Sequence, residues 1–102
     1  GHKYDAYATA AALRTNASYV GLLGSKRKAI LIYQELFSNG FSYDEVSEIH
    51  SPIGLDLSAR TPEEISLSIM AEITAFRLGG KGNFLKLDKI LIDKALKKSK
   101  TT

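Results

Sequence analysis

The sequence predicts an α/β fold that is helix-rich, with few parallel strands and a sheet completed from outside the stretches legible here. Three observations predict it. Tyr19 to Leu23 is apolar without polar alternation, which suits a strand covered on both faces, as in a parallel sheet. That strand runs through Gly24-Ser25 directly into Lys26-Arg27-Lys28 and a helical pattern. Four other segments read as helices, whereas no second strand is well specified. A single apolar strand cannot satisfy its own backbone groups. Its neighbours are expected from elsewhere in a longer protein, from a second copy, or from weaker strands of this chain.

The elements follow in order. Asp5 to Arg14 is alanine-rich, with high helix propensity and a thin apolar face, and Asn16-Ala17 marks its exit. After the strand, Lys26 to Phe37 shows helical periodicity through Ile30, Leu31, Tyr33, Leu36 and Phe37. Asn39-Gly40 ends it, with Gly40 suited to a left-handed cap. Ser42-Tyr43-Asp44-Glu45 is a capping box, and Phe41 with Val46 forms its hydrophobic staple; this short helix is expected to end near Ile49. Ser51-Pro52 breaks the pattern, and Ile53, Leu55 and Leu57 then alternate with Gly54, Asp56 and Ser58 as a short strand or ordered loop. Thr61-Pro62-Glu63-Glu64 joins a second capping box to a proline at the first helical position. The helix it opens runs to about Leu78, with Ile65, Ile69, Ile73 and Phe76 as its stripe, broadened by Leu67 and Met70. Gly79 to Gly82 is a linker or hinge. A last amphipathic helix is expected from Phe84 to about Lys98, burying Leu87, Ile90, Leu91, Ala95 and Leu96. The expected division is residues 1–80 as the α/β domain and 81–102 as a C-terminal helix and basic tail.

Composition narrows the function. The chain of 102 residues is 44% hydrophobic and 25% charged, ordinary values for one small folded domain. With no cysteine, disulfides, thiolate metal sites and cysteine nucleophiles are excluded. There is no apolar run of transmembrane length and no signal-peptide pattern, so a cytoplasmic location is expected. The net charge of +3 is mild and sits largely at Lys94, Lys97, Lys98 and Lys100. These cations complement a helix end. Without interleaved aromatics they do not read as a nucleic-acid arm.

The strand–Gly-Ser–helix junction is the candidate for chemistry. The first amides of a helix lack intrahelical partners and carry partial positive charge, so phosphates bind there. Gly24 lets a ligand approach the backbone, and Ser25 caps the helix or bonds the anion itself. One or two of Lys26, Arg27 and Lys28 can face a ligand. The plain alternative is an ordinary βα connection with surface lysines. Asp56, in Pro-x-Gly-x-Asp, suits a ribose hydroxyl, a metal or a guanidinium; it equally suits a turn, or pairing with Arg60. His50 follows a short helix, where a structural role is the commoner one. His2 near Asp5 suggests a metal or proton relay only weakly. Glu72 lies mid-helix among apolar neighbours, either against Arg60 or Arg77 or facing solvent. No Ser-His-Asp order, metal-ligand cluster or P-loop stands out, so the residues alone offer no catalytic constellation.

The order and spacing of several pieces are more specific than any one of them. They are Gly1-His2-Lys3-Tyr4-Asp5, Tyr19 to Lys28, Ile49 to Leu57, Ala59 to Ile65, and Ser68-Ile69-Met70-Ala71-Glu72-Ile73. On these, Gly1 to Arg77 resembles the C-terminal domain of the xanthine dehydrogenase accessory factor family (XdhC/CoxI-like proteins). The resemblance implies a Rossmann-like domain in a chaperone-type accessory protein. Such proteins bind the molybdenum cofactor, support its sulfuration, and deliver it to xanthine dehydrogenase or a related molybdenum hydroxylase. Full members carry an N-terminal module with a cysteine motif and a Rossmann half with its own glycine-rich loop. Neither is in this sequence, which is expected to begin after the first strands.

The reading is therefore a cofactor-handling domain rather than an enzyme. It is expected to bind molybdopterin or another phosphate-bearing ligand through Gly21, Gly24, Ser25, Lys26, Arg27, Asp56, Arg60 and Thr61, with no metal site of its own. Its expected partners are the hydroxylase and either an N-terminal accessory-factor module or a second copy, with no nucleic acid or membrane. The alternatives are an NAD(P)-binding oxidoreductase fragment and a ligand-free assembly module. Absence of a glycine fingerprint argues against the first.

Overall fold

The computed structural model describes residues 2–101, and of His2 only the backbone. Along the chain run α1 (His2–Leu13), β1 (Val20–Gly21), α2 (Lys26–Ser38), α3 (Tyr43–Ser47), β2 (Ile49–His50), α4 (Pro62–Leu78) and α5 (Lys89–Thr101). The metal or relay reading of His2 lies outside the described side chains.

The core lies between α1, α2 and α3. Ile32 and Leu36 of α2 are fully buried and are joined by Ala6, Phe41, Val46 and Ile49. Small residues on α1 let it approach α2 closely. Thr9 is buried among them, its hydroxyl donating to the Asp5 carbonyl at 2.6 Å. The termini are built as the sequence expects. Ser25 caps α2, its Oγ accepting from the Lys28 amide at 3.1 Å. At the other end Gly40 has φ +92°, and Phe41 donates to the Leu36 carbonyl, closing the helix. Both capping boxes, Ser42 with Glu45 and Thr61 with Glu64, are complete. The staple pair Phe41 and Val46 is buried. Arg14 stacks over the Phe41 ring at 5.1 Å.

Two expectations about strands are corrected. The third helix stops at Ser47, and Ile49, expected as its last residue, joins His50 just after it in a second strand. β2 pairs with β1 in parallel, Val20 opposite Ile49 and Gly21 opposite His50. The pairing continues as the Leu22 amide donates to the His50 carbonyl and the Ile53 amide to the Leu22 carbonyl, each at 3.0 Å. The first strand is also shorter than Tyr19 to Leu23, and within this chain it is not covered on both faces, since Gly21 and Leu23 are exposed. A strand of two residues offers little area for neighbours to cover.

The last third differs most. The final helix starts at Lys89, not Phe84, where Asp88 caps it by accepting from the Leu91 amide at 2.9 Å. None of its residues is buried, so the expected buried face of Leu87, Ile90, Leu91, Ala95 and Leu96 is exposed. Periodicity made the helix amphipathic; among the described residues nothing buries its apolar side. The Cα radius of gyration is accordingly 19.5 Å, with extents of 67 × 30 × 22 Å, against about 13 Å for a packed domain of this length.

Candidate functional site

β1 delivers the chain to Gly24, whose φ of +146° is one that side chains rarely adopt. A Cβ there would also meet the Lys28 side chain at 3.1 Å. α2 then begins, and the amides of Lys26 and Arg27, at its first two positions, have no intrahelical acceptor by geometry. Facing this corner is the loop from Pro52 to Ala59. The space between is a cleft of about 600 Å³, lined by Leu23, Gly24 and Lys26 on one side, the loop on the other, and Ile65 and Ser68 of α4.

The eight expected site residues divide. Gly24, Lys26 and Asp56 line the cleft together. Gly21 packs against the loop from β1: a Cβ there would lie 2.4 Å from Ile53 Cδ1. The Ser25 hydroxyl is committed to the cap of α2. Arg27 is exposed beside the cleft without lining it. Arg60 and Thr61 belong to the start of α4, both amides donating to Glu64 Oε1 at 3.0 and 2.9 Å. Thr61 Oγ1 accepts in turn from the Glu64 amide. Those donations hold the Glu64 carboxyl below its ordinary range. Asp56 Oδ1 accepts from the Ser58 amide at 3.4 Å, the turn-forming role. Of the three clustered cations, Lys28 turns away to Asp5 at 2.6 Å, and that ammonium lowers the Asp5 pKa.

One group of residues was not assembled by the sequence. Glu72 of α4 accepts from the Tyr19 hydroxyl through Oε2 and from the Gly54 amide through Oε1 at 3.1 Å. His50 Nδ1 lies 3.5 Å from the same Oε2. The Tyr19 and His50 rings stack with centroids 4.4 Å apart, and Phe76 packs edge-on to both. Burial, and then the hydrogen bond and charge of Glu72, push the Tyr19 phenol well above its ordinary pKa. This knot binds β1, β2, the loop and α4 together, and by holding Gly54 it fixes one wall of the cleft. Gly54 itself has φ +111°, and a Cβ would meet Ser68 Oγ at 2.6 Å. The loop backbone also joins α4 directly, the Leu55 amide donating to the Ser68 carbonyl at 3.1 Å. The only signal in the sequence was Glu72 placed mid-helix among apolar residues; its partners come from three other segments.

The arrangement can hold an anion against free amides and one lysine, with a carboxylate opposite to accept from hydroxyl or amino groups. A groove of about 490 Å³ between α1 and the end of α2, floored by Ala6, Ala10 and Ala11, lies apart from this cleft. No helix among the described residues is long and apolar enough to cross a membrane.

Comparison with known proteins agrees with the fold. Residues 1–73 match the XdhC Rossmann domain. Over 68 residues the chain is 37% identical to the molybdenum cofactor insertion chaperone PaoD of Escherichia coli K12, covering 67% of this chain and 21% of that protein. It is 32% identical over 68 residues to the uncharacterized protein YqeB of the same organism, covering 67% of this chain and 13% of that protein. The chain thus spans between 13% and 21% of these relatives' length. A solved Bacillus halodurans structure, described as a xanthine dehydrogenase, superposes with a TM-score of 0.59 at 29% identity, over 80% of this chain and 22% of that one. With a family match over residues 1–73 and the parallel βα corner in place, the chain belongs to the XdhC Rossmann domain family, the C-terminal Rossmann-like domain of xanthine dehydrogenase accessory factors.

Proposed function

We propose that this chain is a cofactor-handling part of an accessory, chaperone-type protein for molybdenum hydroxylases. It takes the phosphate end of the molybdenum cofactor, or of a related phosphate-bearing ligand, in the cleft beside α2. The observation that carries this reading is the cleft itself: Gly24 at positive φ, unpaired amides at the start of α2, and Lys26 on the same wall. The chemistry of the lining fits the group. A phosphate meets amides and an ammonium, while Asp56 accepts from the donors of a pterin or ribose. Arg27 guards the rim, and Ser25, Arg60, Thr61 and Gly21 act by shaping the walls. The similarity to PaoD supports the chaperone setting.

The short strands support a second part of the reading. β1 and β2 each have two residues and Leu23 is exposed, so the sheet is completed by an N-terminal accessory-factor module or another copy. The same reading divides the chain into a Rossmann-like unit, residues 1–80, and a C-terminal helix, residues 81–102.

Calorimetric titration of the full chain with pyrophosphate, ADP and NAD⁺ tests the ligand. Pyrophosphate and ADP are expected to bind, and Lys26→Ala or Gly24→Val to weaken both at least about tenfold, the loss of one charge-assisted contact or of backbone access. Failure of both to bind, or equal binding by the variants, overturns the site. Binding of NAD⁺ much tighter than ADP moves the reading to the nicotinamide alternative.

A further inference from the structure

The outer face of α4 and the apolar side of α5 both lack a partner. On α4, Leu67, Met70 and Leu78 are 62%, 58% and 72% exposed. They share one side of the helix, opposite Ser68 and Glu72, which hold the loop and the sheet. On α5, Leu91, Ile92 and Leu96 fall on one side with Ala95, while lysines dominate the other. The α4 stripe spans about 16 Å and the helical α5 stripe from Leu91 to Leu96 about 8 Å, at 1.5 Å per residue, so α5 covers about half of it, and exposed Leu87 and Phe84 precede it along the chain.

Charge sets the direction. α4 begins with Glu63 and Glu64, and α5 ends with Lys98 and Lys100. Packed antiparallel, the basic end of one helix meets the acidic start of the other, and both helix dipoles are complemented. Chain path sets the source. After α4 the linker leaves beside Ala75, its Gly80 amide donating to the Ala75 carbonyl at 2.8 Å. It then passes Leu55, which a Cβ on Gly82 would touch at 3.0 Å. That is the cleft side of α4, away from the Leu67–Met70 stripe, so α5 departs from its own α4 outer face. An isolated helix of 13 residues is also marginal in water and needs a surface.

We propose that α5 packs antiparallel on the outer face of α4 of a second copy, and that the exchange is reciprocal. The linker residues Phe84 and Leu85, the most exposed large apolar side chains of the chain, lie along the crossing. A two-fold exchange of this kind uses one patch twice and closes. It uses neither the cleft nor its ligand, so its outcome is independent of the proposed ligand binding, and substitutions on α5 and at Met70 separate it from pairing through the sheet.

Sedimentation of the full chain is expected to give twice the chain mass. Leu91→Glu with Leu96→Glu, and separately Met70→Glu on the other surface, are expected to halve it. The sequence has no cysteine, so single cysteines report without background. Copies carrying only Met70→Cys, mixed with copies carrying only Ile92→Cys, are expected to form a disulfide with each other. A monomer at every soluble concentration overturns the proposal. So does a disulfide between two Ile92→Cys copies in place of the mixed one, which means α5 pairs with itself. An internal disulfide in a monomeric chain carrying both substitutions also overturns it, since α5 then folds on its own α4.

Discussion

α2 and α5 have the same length, 13 residues, and nearly the same amphipathic character, yet one is the centre of the molecule and the other buries nothing. α2 is met by α1 on one side and by α3 and β2 on the other, and its Ile32 and Leu36 are fully buried. α5 has an apolar side of similar size, and among the described residues nothing buries it. α4 lies between these extremes. It is held to the sheet through Glu72, Tyr19, His50 and the Ser68 carbonyl, a polar attachment with half-buried isoleucines. An apolar stripe states that a helix needs a surface. It does not state which one.

The largest expected contrast is between the two helices. Leu36→Ala should cost about 2–5 kcal/mol, the loss of a fully buried side chain with a cavity left behind. Leu96→Ala, at concentrations where copies do not pair, should stay within about 0.5 kcal/mol. Urea unfolding of both variants checks this, and equal losses would mean that α5 is packed within the single chain. The polar attachment comes next. Glu72→Ala leaves Gly54 and Tyr19 without their acceptor and should cost about 1–3 kcal/mol. The same variant should weaken pyrophosphate binding, because the loop wall loses its anchor.

Removing a cap is a smaller step. Thr61→Ala should cost about 1 kcal/mol by urea unfolding. Glu64 and Glu45 have lowered pKa values because they accept cap hydrogen bonds. Their contribution is present above the unfolded carboxylate pKa and is lost as the pH falls through the lower folded value. Acid titration of Glu64→Gln should therefore show a flatter decline than the unchanged chain. At high pH the sign reverses. The Tyr19 and Tyr33 phenols are pushed up, chiefly by burial. Their contribution is intact below the unfolded tyrosine pKa, about 10, and is lost as the pH rises through the folded values. Absorbance near 295 nm should show a late phase that disappears in the Tyr19→Phe, Tyr33→Phe variant.

Much of the fold was legible because its signals are local. Ser25, the two capping boxes, Gly40, and the staple of Phe41 with Val46 each act over a few residues, so spacing alone identifies them. The strand–Gly-Ser–helix corner was legible for the same reason, and Gly24 and Lys26 line a cleft. The strand Ile49–His50, with Ile49 expected at the end of a helix and His50 beyond it, was not legible because two residues carry no period of their own; only the bonds to Val20–Leu22 make them a strand. The face of α5 was misassigned because burial depends on an opposing surface. The Glu72 knot was unreadable because its partners are separated along the chain and meet only after the loop has folded over α4.

By itself, the sequence determined where helices start and stop, which side of each is apolar, and the glycine–serine–lysine corner. These rest on backbone amides and side chains a few residues apart. Tertiary structure alone decided that Asp56 faces Gly24 and Lys26, that Glu72 ties Tyr19, His50 and Gly54 together, and that α5 stands clear of its own core. Those contacts join distant segments, whose meeting is set by the competition of whole surfaces for burial.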